Sequence, residues 1–167
     1  MTGMNWYVIY TKSRAEKKTR DTLQESGYEV YLPLVKTMRQ WSDRKKKVEI
    51  PLFPGYLFIK TDTENFWKIR TIDGVVNFVR FGENIAKVRE QDIMNIRILL
   101  QESENLSVTN SVFRQGEEIE ITAGKFKGYK GLVEFAKGKN NLIVSLLEIG
   151  MSVKLEIPAH FVKQISK

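Results

Sequence analysis

The sequence predicts an α+β domain, an antiparallel sheet flanked by helices, followed by a small all-β barrel. Two observations predict it. Up to about residue 100, strand-like runs alternate with capped helical segments and end in an amphipathic helix. Beyond residue 111 the helical periodicity stops, and short two-residue alternations recur with glycines at the corners. Residues 101–111, Gln-Glu-Ser-Glu-Asn-Leu-Ser-Val-Thr-Asn-Ser, are polar and aperiodic and read as a linker. The expected organisation is a first domain over 4–100, a linker over 101–111 and a barrel domain over 112–167.

Trp6-Tyr7-Val8-Ile9-Tyr10 is a β-branched and aromatic run, which predicts a strand. Ser13-Arg14-Ala15-Glu16 fits a capping box, and the helix it opens runs to Gly27, a natural C′ residue. Glu29 to Leu34 predicts a second strand, ended or bent at Pro33. Val35 to Ile50 reads as a hairpin arm with Trp41 at its base and a basic tip, Arg44, Lys45, Lys46 and Lys47. Pro51-Leu52-Phe53-Pro54-Gly55 bends the chain into Tyr56-Leu57-Phe58-Ile59, a strand apolar on both faces. Leu57 and Ile59 are expected to meet the helices, Tyr56 and Phe58 a partner. Asp62 to Asn65 offers caps for a short helix through Phe66, Trp67 and Ile69. Val75 to Phe81 predicts one strand with Val75, Asn77, Val79 and Phe81 on one face. Ile93, Ile96, Leu99 and Leu100 mark the last helix. In the second domain, alternation at 118–122 and 153–157, with runs at 132–135 and 142–146, predicts about five short strands.

Composition removes whole classes of chemistry. The chain has 167 residues, no cysteine and one histidine, His160, so neither a disulfide framework, a thiolate site nor a histidine-based triad has raw material. No apolar run approaches a membrane span, and none follows Met1 as a signal peptide would, so a cytoplasmic monomer is expected. Nothing pairs a nucleophile with a base. Asp62 and Glu64 suit a helix start better than acid–base work. Gly124-Lys125-Phe126-Lys127-Gly128-Tyr129-Lys130-Gly131 lacks the Gly-Lys-Ser/Thr ending of a phosphate loop and lies between strands, so its glycines serve a tight corner. No enzyme, cofactor or metal site is expected.

The net charge is +7 and unevenly placed. Residues 1–100 carry 18 Lys and Arg against 12 Asp and Glu. Lys12, Arg14, Lys17 and Lys18, with Arg20, cluster around the first helix start, and the arm carries its own cations. Each cluster reads either as a solvated face or as a contact with a phosphate backbone. An aromatic beside a basic arm suits single-stranded or distorted nucleic acid.

Three blocks, Trp6 to Tyr10, Pro51 to Phe58 and Gly74 to Gly82, together resemble the N-terminal domain of the NusG/Spt5 transcription elongation factors. Gly116-Glu117 through Gly131 looks like the KOW motif that follows it, with Gly124, Phe126, Gly128 and Gly131 at its centre. The resemblance covers nearly the whole chain. Tyr56 to Phe58 and Phe78 to Gly82 look closest to the RfaH-like and UpxY-like antiterminators of surface-polysaccharide operons. The resemblance implies an NGN-like fold, and docking on the clamp helices of the largest RNA polymerase subunit through Tyr10, Phe53, Tyr56, Phe58 and Phe81. Two of these five are expected to be mainly core. It further implies that Lys12, Arg14, Lys17, Lys18 and Arg44 to Lys47 lie near upstream and non-template DNA, and that the barrel engages a ribosomal protein or termination factor. Asp73 stands where one specialised relative carries a cation, which weighs against the same contact here. A general NusG-type factor and a KOW-containing ribosomal RNA-binding protein are the rival readings.

Overall fold

The computed structural model describes residues 3–110, 117–136, 139–157 and 165–166; His160, Phe161 and Gly116 lie outside them. The chain divides into two units, residues 1–89 and 90–167.

In the first unit, β1 (Asn5–Thr11) is the central strand. It pairs antiparallel with β5 (Tyr56–Thr61) on one side and with β6 (Val75–Phe78) and β9 (Lys87–Val88) on the other; β2 (Glu29–Tyr31) adds outside β5. The alternation of β1 and β5 sorts the core. Tyr7, Ile9, Leu57 and Ile59 join Val30, Val75 and Phe78 against Leu23 of α1 (Glu16–Glu25) and Ile69 of α2 (Phe66–Arg70). Leu57 and Ile59 thus face the helices as expected. The other pleat of the sheet, with Trp6, Val8 and Phe58, is buried as well.

Local chemistry sets the boundaries. Gly27, at φ +89°, closes α1 in a Schellman motif: the Tyr28 N–H donates to the Leu23 carbonyl and the Gly27 N–H to that of Gln24. The capping box is not formed. Helix α1 starts at Glu16 with no side-chain cap, and the Glu16 carboxylate turns instead to the Gly55 N–H at 2.9 Å. Asp62 caps the 3-10 turn before α2, accepting from the Asn65 N–H. The run from Val75 to Phe81 is not one strand. A register shift opposite Tyr10 and Thr11 pushes Val76 out, so Phe78 rather than Asn77 enters the core. The chain then continues through Val79, whose N–H donates to the Val8 carbonyl, into the short hairpin of β7 (Arg80–Phe81) and β8 (Asn84–Ile85). The arm is a separate two-stranded ladder, β3 (Leu34–Gln40) against β4 (Lys45–Pro51).

The second unit holds α3 (Glu90–Leu99) and an antiparallel sheet. Its order is β10 (Leu106–Thr109), β14 (Met151–Ile157), β13 (Lys139–Leu146), β12 (Lys130–Ala136), β11 (Glu117–Ile121) and β15 (Ile165–Ser166). Leu106 to Thr109, read from sequence as linker, pairs along β14 because Leu106 and Val108 alternate opposite Leu155 and Val153. The four-residue alternation is too short to stand out among polar neighbours.

Candidate functional site

The turn Pro51–Gly55 mounts the aromatic candidates. Its Leu52 N–H donates to the Pro33 carbonyl, and Gly55 is bonded on both sides, its N–H to Glu16 and its carbonyl from the Thr11 N–H. Glu16 is 8% exposed and spans 39 residues of sequence for this bond. A carboxylate on a backbone N–H is a charge-assisted bond, so the turn is fixed firmly to the start of α1.

The five aromatics fall into two groups. Tyr10 and Tyr56 are cross-strand partners on β1 and β5, ring centroids 5.2 Å apart, with Tyr10 40% exposed. Partial burial, then the neighbouring Tyr10, holds the Tyr56 hydroxyl above the usual phenol range. Tyr56 therefore stays neutral at physiological pH, and the pair offers ring surface and hydroxyls. Phe81 is 59% exposed but sits on the β7–β8 hairpin and makes no ring contact with the pair. Phe53 and Phe58 are core: they pack edge-to-face at 6.1 Å, and Phe58 also meets Tyr31. Two of five are therefore buried, as expected. Phe58 does not present its ring at the surface; it packs on Phe53 and is buried along with Val8 and Trp6 of the same pleat.

The charged candidates also divide. Lys12 is held twice by the Asp73–Gly74 turn: its backbone N–H donates to the Gly74 carbonyl, and its ammonium to the Asp73 carboxylate at 2.8 Å. That hydrogen bond, with the charge behind it, keeps the Asp73 carboxyl below the usual carboxylate range. Gly74 has no substitute here, because a Cβ would lie 2.0 Å from Thr19 Oγ1 at φ +93°. Arg14 stands exposed at φ 60°, and Lys18 is exposed on α1. Lys17 is not free: its ammonium donates to the Glu49 carbonyl and ties α1 to β4.

The arm differs from its sequence reading in register. The turn is Trp41–Arg44, closed by the Trp41 N–H to the Arg44 carbonyl. Trp41 is therefore at the tip rather than the base, and Lys45, Lys46 and Lys47 line β4. Arg39 lies directly opposite Lys46. Arg44 to Lys47 are all exposed, and no ion pair among the described residues holds them.

In the second unit Gly124 and Gly128 take left-handed φ in the β11–β12 corner, and Phe126 is buried beneath it. Gly131 leaves room for Tyr129, whose Oη would lie 2.9 Å from an added Cβ. The buried Tyr129 hydroxyl has the Leu132 and Ile143 carbonyls within reach of its single proton and accepts from the Ile143 N–H. Asn95 of α3 brackets Lys130, its amide donating to the carbonyl and accepting from the N–H, while Gln91 donates to the Gly128 carbonyl. Sequence reasoning singled out none of Glu16, Gln91, Asn95 or Tyr129 for these roles. All are polar residues on apolar faces, and that mismatch was the available signal.

Among the described residues no group of three or more His, Asp or Glu could hold a metal, and no helix is long and apolar enough to cross a membrane. A family model described as "Transcription termination factor nusG" matches residues 4–97. The "Transcription termination/antitermination protein NusG" of Pasteurella multocida (strain Pm70) is 26% identical over 170 residues, 93% of each chain. That of Chlamydia trachomatis serovar D is 29% identical over 155 residues, 84% of this chain and 85% of the relative. A solved structure titled "Domain interaction in Thermotoga maritima NusG" aligns with 98% of this chain and 97% of its own at 21% identity, with a TM-score of 0.47.

Proposed function

The chain belongs to the NusG family, and from that premise we propose that it is a cytoplasmic, non-enzymatic transcription elongation and antitermination factor. The Tyr10–Tyr56 pair, Tyr10 exposed and Tyr56 half-buried, on its doubly bonded mount carries this reading. Aromatics that are rigid, part apolar and part polar are the side chains that anchor protein interfaces. The pair, with Phe81 at the edge, docks on the clamp helices of the largest RNA polymerase subunit; Phe53 and Phe58 support it from beneath. The cations Lys12, Arg14 and Lys18 and the arm from Arg44 to Lys47 face upstream and non-template DNA, and the bridged, closed clamp suppresses pausing. The relatives' printed name, transcription termination/antitermination protein, supports the same class of activity.

The specialised role, on a long surface-polysaccharide operon, rests on the likeness of Tyr56 to Phe58 and Phe78 to Gly82 to the RfaH-like and UpxY-like factors. As in the general factors of the family, the β unit would receive a ribosomal protein or a termination factor. Binding to purified RNA polymerase tests the docking surface. Tyr56→Ala and Tyr10→Ala, with unchanged circular dichroism, are expected to lose about 2–4 kcal/mol of affinity each. Full affinity in both folded variants would remove the pair from the interface. Co-purification with ribosomal subunits instead of polymerase would favour a ribosomal RNA-binding protein.

A further inference from the structure

The two pleats of the arm are chemically different. On one, Lys36 faces Glu49, Met38 faces Lys47 and Gln40 faces Lys45. On the other, Val35 faces Ile50 and Thr37 faces Val48, and Arg39 faces Lys46. The pleat then carries Trp41 and Arg44, joined by their backbone hydrogen bond, onto this second face. Three cations and an indole therefore share a face that carries no acid. Trp41 is 49% exposed and makes no ring contact with another described residue.

This arrangement works against the arm's own stability. From Met38 to Lys47 the ladder is exposed on both faces, which is marginal in water, and like charges directly opposite one another weaken it further. An anion seated between Arg39 and Lys46 removes that repulsion. A flat, exposed ring two positions along the same pleat asks for a flat partner. A duplex offers phosphates but keeps its base faces stacked away; an unpaired strand offers both.

We propose that this face of the arm seats an unpaired nucleic-acid strand, Trp41 stacking on one base while Arg39, Arg44 and Lys46 contact the phosphates beside it. The proposal rests on the reading of the arm as binding nucleic acid and adds the face and the stacking residue. The anchor is already in place, since the Lys17 ammonium on the Glu49 carbonyl fixes β4 at the base.

Fluorescence anisotropy of the full chain with a labelled single-stranded DNA, the matching RNA and a duplex tests it. Trp41→Ala is expected to weaken single-strand binding about tenfold, the equivalent of one lost base stack. Duplex binding and the salt slope should stay unchanged, and Trp41→Phe should retain most of the affinity. Whichever of the DNA and RNA strands binds more tightly identifies the source. Equal single-strand affinity in wild type and Trp41→Ala, or an equal loss on the duplex, overturns the proposal. The arm's general role stands or falls separately. Neutralising Arg44 to Lys47 should flatten the salt dependence on every probe, and an unchanged slope would remove the arm from nucleic acid altogether.

Discussion

Replacing Phe58 by alanine should unfold the first unit's core rather than blunt a docking surface. Phe58 is 0% exposed, paired across the sheet with Val8 and Tyr31 and packed edge-to-face on Phe53. Removing a buried phenyl ring costs about 3–5 kcal/mol, the transfer term plus a cavity that rigid strands cannot close. All three tryptophans, Trp6, Trp41 and Trp67, lie in residues 1–89, and Trp6 alone is buried, so indole emission reports the opening of this unit. With a urea slope of roughly 1.5 kcal/mol/M, the midpoint should fall by about 2–3 M. Tyr56→Ala, at a half-buried position, should move it by less than about 1 M while removing polymerase affinity. A Phe58→Ala protein with a wild-type midpoint and no polymerase binding would refute the assignment of Phe58 to the core.

Three further outcomes follow from particular contacts. Gly74→Ala sets a Cβ against Thr19 Oγ1 at a left-handed φ and should cost about 2–4 kcal/mol in the same urea titration; Thr19→Ala in addition should recover part of it. Asp73→Asn should leave stability nearly unchanged, since the Lys12 pair is exposed, and should raise nucleic-acid affinity at low salt by releasing Lys12. The pH sign agrees: because the folded Asp73 carboxyl lies below its unfolded value, the pair is present above that value and is lost as pH falls through the lowered one. Anisotropy in acid should therefore show the wild type approaching Asp73→Asn, and a gap that persists would contradict the latch. Tyr129→Phe leaves the Ile143 N–H without its buried acceptor and should cost about 1–3 kcal/mol, read as faster amide exchange at Ile143. The wild-type Tyr129 hydroxyl should stay protonated well above the usual phenol range in a spectrophotometric titration, because burial raises it.

Much of the first unit was readable from local pattern. The apolar runs at Trp6 and Tyr56 became the central strand pair, and Gly27 and Asp62 ended and began helices through bonds to their near neighbours. What escaped was decided at long range. Glu16 has a local partner on paper, yet it bonds to Gly55 because folding brings that N–H to a shielded place. The two-residue rule cannot foresee Val76, where one extra residue against β1 inverts every side chain after it. A strand apolar on both faces was correctly seen in Tyr56 to Ile59, but sequence alone could not say that Phe53 would cover Phe58 and leave only Tyr56 near the surface. The arm's charges were legible; its register, and with it the position of Trp41 at the tip, was not.

The doubly bonded Gly55 peptide has a kinetic consequence. Its carbonyl receives the Thr11 N–H at the end of β1, and its own N–H is held by Glu16 at the start of α1. The turn cannot swing away without losing both bonds, so the Gly55 amide should exchange with solvent only when the whole unit opens. Tyr56, one residue on, inherits that stillness. A partner meeting the tyrosine pair finds it already in its bound arrangement, so association proceeds without a slow rearrangement, and affinity differences among variants should appear in how long the complex lasts.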